Sequence, residues 1–134
     1  MVFPDKMAVA KMQPWLNGTT VSLNKQKLVT RFHEGTTDTY PDIRYKTVNI
    51  YSFSLSSWLA IIKVLNQYIS EGSVSCYYET VFAEMVANKS LSFESVSFDH
   101  KPWYEIDTIG DLAEAEKLFP VELKTRIKPE KTYA

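Results

Sequence analysis

Short alternating stretches of apolar and polar residues occupy the first third of the chain, and helical spacing takes over in the middle. Met7-Ala8-Val9-Ala10 reads as a short strand. Asn17-Gly18 is a turn dipeptide, because both residue types tolerate positive φ. Thr19-Thr20-Val21-Ser22-Leu23 then reads as a β-branched strand with alternating faces. A polar turn over residues 24–27 leads to a return strand, Leu28-Val29-Thr30-Arg31-Phe32, which predicts a hairpin or meander. Residues 33–42 are polar, contain Gly35 and Pro41, and read as a loop near a site or a subunit contact. Residues 45–51 form the clearest strand: Tyr45, Thr47, Asn49 and Tyr51 face one side, with Lys46, Val48 and Ile50 on the other.

Two helices are predicted next. Leu55, Trp58, Leu59, Ile62, Leu65 and Ile69 recur at three- and four-residue steps and give one apolar stripe, with serine N-caps at its start and Gly72 as its stop. Tyr78, Val81, Phe82, Met85 and Val86 mark a second helix ending near Asn88. Residues 91–98 predict a strand, with a bulge or twist where the apolar parity shifts between Phe93 and Val96. Trp103-Tyr104-Glu105-Ile106-Asp107 is strand-like and runs into a capping-box start, Thr108 with Asp111, ahead of Leu112, Ala115 and Phe119. Pro120 ends that helix, and a charged tail covers 121–134. This mixture predicts an α/β fold with antiparallel additions, with no linker or repeat dividing it.

Composition narrows the possibilities. At 134 residues, 45% of them hydrophobic and 23% charged, the chain has the material for one core. Fifteen Lys and Arg against sixteen Asp and Glu argue against bulk binding to nucleic acid or anionic lipid. The lone Cys76 excludes an internal disulfide. The longest apolar run, residues 58–62, is far short of the roughly twenty residues of a membrane span, and the first six residues do not read as a signal peptide. The expectation is a cytoplasmic protein, with no membrane or nucleic-acid partner.

Few motifs carry chemistry. There is no phosphate-binding glycine loop and no nucleophile elbow, and a single cysteine excludes a Cys-Cys-His zinc site. Asp107 is the leading candidate: a carboxylate between a strand end and a helix start can hold Mg²⁺, or can simply solvate and cap that turn. Lys46 can pair with a substrate phosphate or be a surface lysine on an edge strand. Asn49 lies on the opposite face of that strand. Glu79 opens a helix, where it suits the dipole or an acceptor. Trp15, Trp103 and Tyr104 can stack on a choline-like cation or pack in a core. Cys76, His33 and His100 read as structural or surface residues.

Residues 103–108, with Asp111-Leu112, Ala115-Glu116 and Leu118-Phe119, resemble the closing signature of nucleotidyltransferases in the nucleotide-diphospho-sugar transferase superfamily. The likeness is to the sugar-phosphate and phosphocholine or phosphonate cytidylyltransferases. Residues 14–19, residues 45–54 and Tyr77-Tyr78-Glu79 resemble the same family in the same order, so the likeness spans about residues 7–119. It implies a partial three-layer, mixed-sheet, Rossmann-like fold lacking its N-terminal nucleotide-binding half. On that basis residues 1–120 are the C-terminal, acceptor-binding half. Asp107 and Lys46 would be catalytic, Asp107 the Mg²⁺ ligand, and Lys46, Asn49, Glu79 and Trp103 acceptor-binding. The implied reaction is attack by a phosphate or phosphonate oxygen on the α-phosphorus of CTP or a similar nucleotide, releasing pyrophosphate. The family's glycine-rich loop and first metal aspartate have no counterpart, so the chain alone is expected to be inactive. It is also expected to self-associate or to need a partner carrying the missing half. The rival expectations are a non-catalytic acceptor-binding or assembly module, and an unrelated α/β domain, which would show itself if Asp107 did not end a strand.

Overall fold

The computed structural model describes residues 4–13, 16–34 and 43–119. The described chain divides between Asp99 and His100 into two compact units. In the first, β1 (Asp5–Lys11), β2 (Thr20–Leu23), β3 (Val29–His33), β4 (Tyr45–Ser52) and β5 (Phe93–Ser97) form a mixed open sheet in the order β3-β2-β4-β1-β5. β1 pairs parallel with β5 and antiparallel with β4, and β2 pairs antiparallel with β3 and β4. The apolar run 7–10 explains the interior position of β1, since all four residues are buried although they point to both faces.

Two helices of the first unit, α1 (Leu55–Ser70) and α2 (Tyr78–Ala87), pack on one face of the sheet. Met7, Val9, Val21, Val29 and Phe93 from strands meet Ile61 from α1 and Val81, Phe82 and Met85 from α2 in the core. Tyr51, Phe53, Phe82 and Phe93 add an aromatic cluster with centroids 5.2–5.9 Å apart. Asp5 joins β1 to α1: its carboxylate accepts from Ser54 N at 2.7 Å and from Ser57 Oγ at 2.5 Å. Tyr68 OH donates to Glu84 and ties α1 to α2, and this bond pushes the exposed phenol up to about 12.

Three expectations need correction. The strand irregularity lies in β4, not over residues 91–98. β5 keeps unbroken register with β1, whereas between Met7↔Tyr51 and Val9↔Thr47 β1 has one residue and β4 three. Asn49 takes a left-handed φ of 63° in that bulge. Phe93 and Val96 differ in parity because both faces of the sheet carry apolar surface. Phe93 faces the helices, and Val96 lines a cavity of about 180 Å³ with Ala8, Ile50 and Phe98.

The second correction concerns α1. Its core side is Ala60, Ile61, Val64, Leu65 and Tyr68, while Leu55, Trp58, Leu59 and Ile69 of the predicted stripe are exposed. Apolar residues cover two faces of this helix, so spacing alone does not say which meets the sheet. The third concerns residues 103–107, which were expected to be strand-like and are not in a strand.

The second unit holds α3 (Ile109–Glu116), opened by a complete capping box. No helix among the described residues is long and apolar enough to cross a membrane. The outer edge of β5 is partly engaged: Ser95 N and Oγ both donate to Lys27 O, at 2.9 and 2.7 Å, beside a Leu28↔Glu94 bridge. The loop prediction over 35–42, the tail over 121–134 and Trp15 lie outside the described residues.

Candidate functional site

The sheet face opposite the helices is polar and cationic over β2, β3 and β4. Strand pairing puts Lys46 beside Thr20 and Ala10, and Ser22 beside Arg31. Lys46 is only 3% exposed, and its Nζ donates to Thr47 O at 3.1 Å. Asn17-Gly18 bends the chain across this lysine. Gly18 has φ 94°, and a Cβ there would stand 3.6 Å from Lys46 Nζ. Arg44, two residues before Lys46 and so on the same face, donates to Thr20 Oγ1 at 3.5 Å. Its Nε is buried and has no hydrogen-bond partner among the described residues. Ser22 Oγ and His33 Nε2 are 2.7 Å apart and both residues are buried. The β2–β4 ladder stops at Val21↔Tyr45, and beyond it a cavity of about 400 Å³ is lined by Ser22, Leu23, Asn24, Lys27, Thr30 and Tyr45 with Ile43.

A second polar cluster lies under the start of α2, on the helix side of the sheet. Glu79 Oε2 accepts from Thr47 Oγ1 at 2.9 Å and from Tyr51 OH at 3.3 Å, and Tyr78 OH donates to Asn49 Oδ1 at 3.1 Å. Burial, and then the Glu79 charge, push the Tyr51 phenol far above its ordinary range, so it stays a donor. The structure therefore brings Asn49 and Glu79 together and sets Lys46 on the other face. With its bonds made inside the fold, Glu79 serves here to anchor α2 on β4.

Trp103 and Asp107 belong to the second unit. Asp107 is exposed and immediately precedes the Thr108 N-cap, and its backbone N donates to Asp111 Oδ2 at 3.0 Å. Asp111 Oδ2 also accepts from Thr108 N at 2.9 Å, and Asp111 N donates to Thr108 Oγ1 at 3.1 Å. The Asp107 N–H first, and then Thr108, hold the Asp111 carboxyl below its ordinary value. This chemistry fits a helix cap better than a Mg²⁺ site. The neighbouring carboxylate is spent on backbone N–H groups, and no three His, Cys, Asp or Glu among the described residues converge on a metal position.

No family model, curated protein or solved structure matches the chain.

Sequence reasoning overlooked Arg44, Thr20, Thr47 and Tyr51. A signal for each was available: Arg44 shares the parity of Lys46, and Thr47 and Tyr51 share that of Asn49. The Ser22–His33 pair had none, because it joins two strands across a hairpin.

Proposed function

We propose that the chain is the acceptor-binding portion of a nucleotidyltransferase-like, Rossmann-related fold, taking a small phosphorylated or phosphonate ligand and not completing nucleotidyl transfer alone. The observation that carries this reading is the Arg44 Nε, buried and unpartnered among the described residues, on the same face as buried Lys46. Buried donors of this kind are rare unless an acceptor belongs there. A planar guanidinium matches a phosphate through two N–H groups and Lys46 adds a point charge, while Thr20 supplies a hydroxyl. In this role the residues bind and orient the anion. Phosphocholine, an aminoalkylphosphonate and a sugar phosphate are the candidate ligands, and CTP is the nucleotide of the complete reaction.

Calorimetric titration with these three compounds, with and without Mg²⁺, tests the reading. Binding of at least one is expected, weakened about tenfold or more by Lys46→Met or Arg44→Gln and unchanged by Asp107→Asn. No binding, or binding indifferent to Lys46 and Arg44, removes the proposal. Pyrophosphate released from CTP by the chain alone would contradict the inactive-alone part. A second reading, an anion-binding α/β domain unrelated to that family, is favoured by the absence of a strand before Asp107.

A further inference from the structure

The first α-helix is apolar around most of its circumference. At 100° per residue, Ala60, Ile61, Val64, Leu65 and Tyr68 centre on one side and enter the core, while Leu55, Trp58, Leu59, Ile62 and Ile69 centre on an adjacent side. Only Ser56, Lys63, Gln67 and Ser70 make a polar strip between them. The second apolar side is open: Leu55 is 73% exposed, Trp58 45%, Leu59 58% and Ile69 60%. Together they form a patch on the order of 400 Å², the size at which a monomer's largest apolar patch usually has a use.

We propose that this face of α1 joins two copies of the chain about a two-fold axis. Three features select a second copy as the occupant. The stripe carries no charge, and α1 has one charged residue in sixteen, Lys63, on the flanking polar strip. A charged partner helix finds nothing complementary there, whereas an identical neutral stripe fits without desolvating an ion. Membrane-surface helices carry Lys and Arg along the polar face, and a single lysine does not meet that description. Asn66 is the one polar residue within the stripe, between Ile62 and Ile69. An amide both donates and accepts, so Asn66 is satisfied by its own symmetry mate, and one such residue in an apolar seam fixes register and copy number.

The anchor is preformed. Trp58 stacks on Phe53 at 6.2 Å between ring centroids, so its exposed face is held in place before association. Two such faces with their polar flanks bury on the order of 1,000 Å², the lower end for a specific interface, which predicts a dimer that dissociates on dilution.

Sedimentation velocity of the full chain over a dilution series is the test, with Leu59→Glu and Leu55→Gln as exposed-site variants whose folding is checked by circular dichroism. A reversible dimer is expected, weakened at least tenfold in both variants, with Asn66→Leu giving a mixture of larger species. A monomer at every concentration overturns the proposal, as does a dimer indifferent to both variants, which would place the contact elsewhere. Leu59-dependent binding to phosphatidylcholine or phosphatidylserine vesicles by a monomeric chain would also overturn it, assigning the stripe to lipid. Phosphorylated-ligand binding is unchanged in these variants, so the two proposals stand or fall separately.

Discussion

The Tyr51 phenol is mostly out of water and donates to a carboxylate it cannot afford to face as an anion. Its folded-state pKa is raised above the unfolded value of about 10. A raised pKa contributes stability that is complete below the unfolded value and is lost as pH climbs from there toward the folded one. Urea melts between pH 7 and about 11 are therefore expected to show stability falling from about pH 10 upward. Tyr51→Phe is expected to flatten that limb and to cost about 1 kcal/mol at neutral pH, the worth of one hydrogen bond. An unchanged alkaline limb in Tyr51→Phe would show that other groups set it. At this scale the candidate site was half legible. Alternation along residues 45–51 separates Lys46 from Asn49, as found, but the Glu79 partners Thr47 and Tyr51 lie 32 and 28 residues away, a distance no local pattern spans. The strand expected before Asp107 was misread for a related reason. Trp103, Tyr104 and Ile106 have strand-forming side chains, yet strand propensity depends on context, and this segment is not in a strand.

Helix ends were the most legible elements, because capping is local chemistry. Ser54 caps α1 through Ser57 N, and Gly72 closes it: Gly72 N donates to Ile69 O and Ser73 N to Tyr68 O, a Schellman pair. The same pair closes α2, with Lys89 at φ 67° in the position Gly72 holds in α1. A side chain strains that conformation, so Lys89→Gly is expected to raise stability by roughly 0.5–1 kcal/mol, read as a higher urea midpoint at unchanged slope. A lower midpoint would mean that the Lys89 side chain contributes more than its backbone costs. For α3, Thr108→Ala is expected to cost about 1 kcal/mol of helix stability. Because the Asp111 pKa is lowered, its share of the cap is present above the ordinary aspartate value near 3.9 and is lost as pH falls through the lower folded value. An NMR titration of the Asp111 carboxyl should find its midpoint below that of an exposed carboxylate, and Thr108→Ala should move it upward. The faces of α1 were less legible than its ends, since periodicity finds an apolar stripe without saying what it touches. The bulge in β4 left no trace either, for its left-handed residue is Asn49 and not a glycine.

At the scale of the whole molecule, charge and exposed apolar surface act together. The formal charge is −1 and the sequence pI is about 6.1, so electrostatic repulsion between copies nearly vanishes just below neutrality. The open side of α1 remains apolar at every pH, while the covered side of β5 leaves less unpaired strand edge to compete with it. Association driven by that helix face should therefore be strongest near pH 6 and weaker at pH 8, where the chain carries more negative charge. Salt separates this cause from ion pairing. Added sulfate strengthens apolar burial, whereas ionic contacts between copies are screened within about 10 Å at 0.1 M salt. Sedimentation at pH 6 and pH 8, each at low salt and with sodium sulfate, is expected to give tighter association with sulfate at both pH values. Association that salt dissolves would instead trace the contact to exposed charged groups, and would leave the α1 stripe without its role.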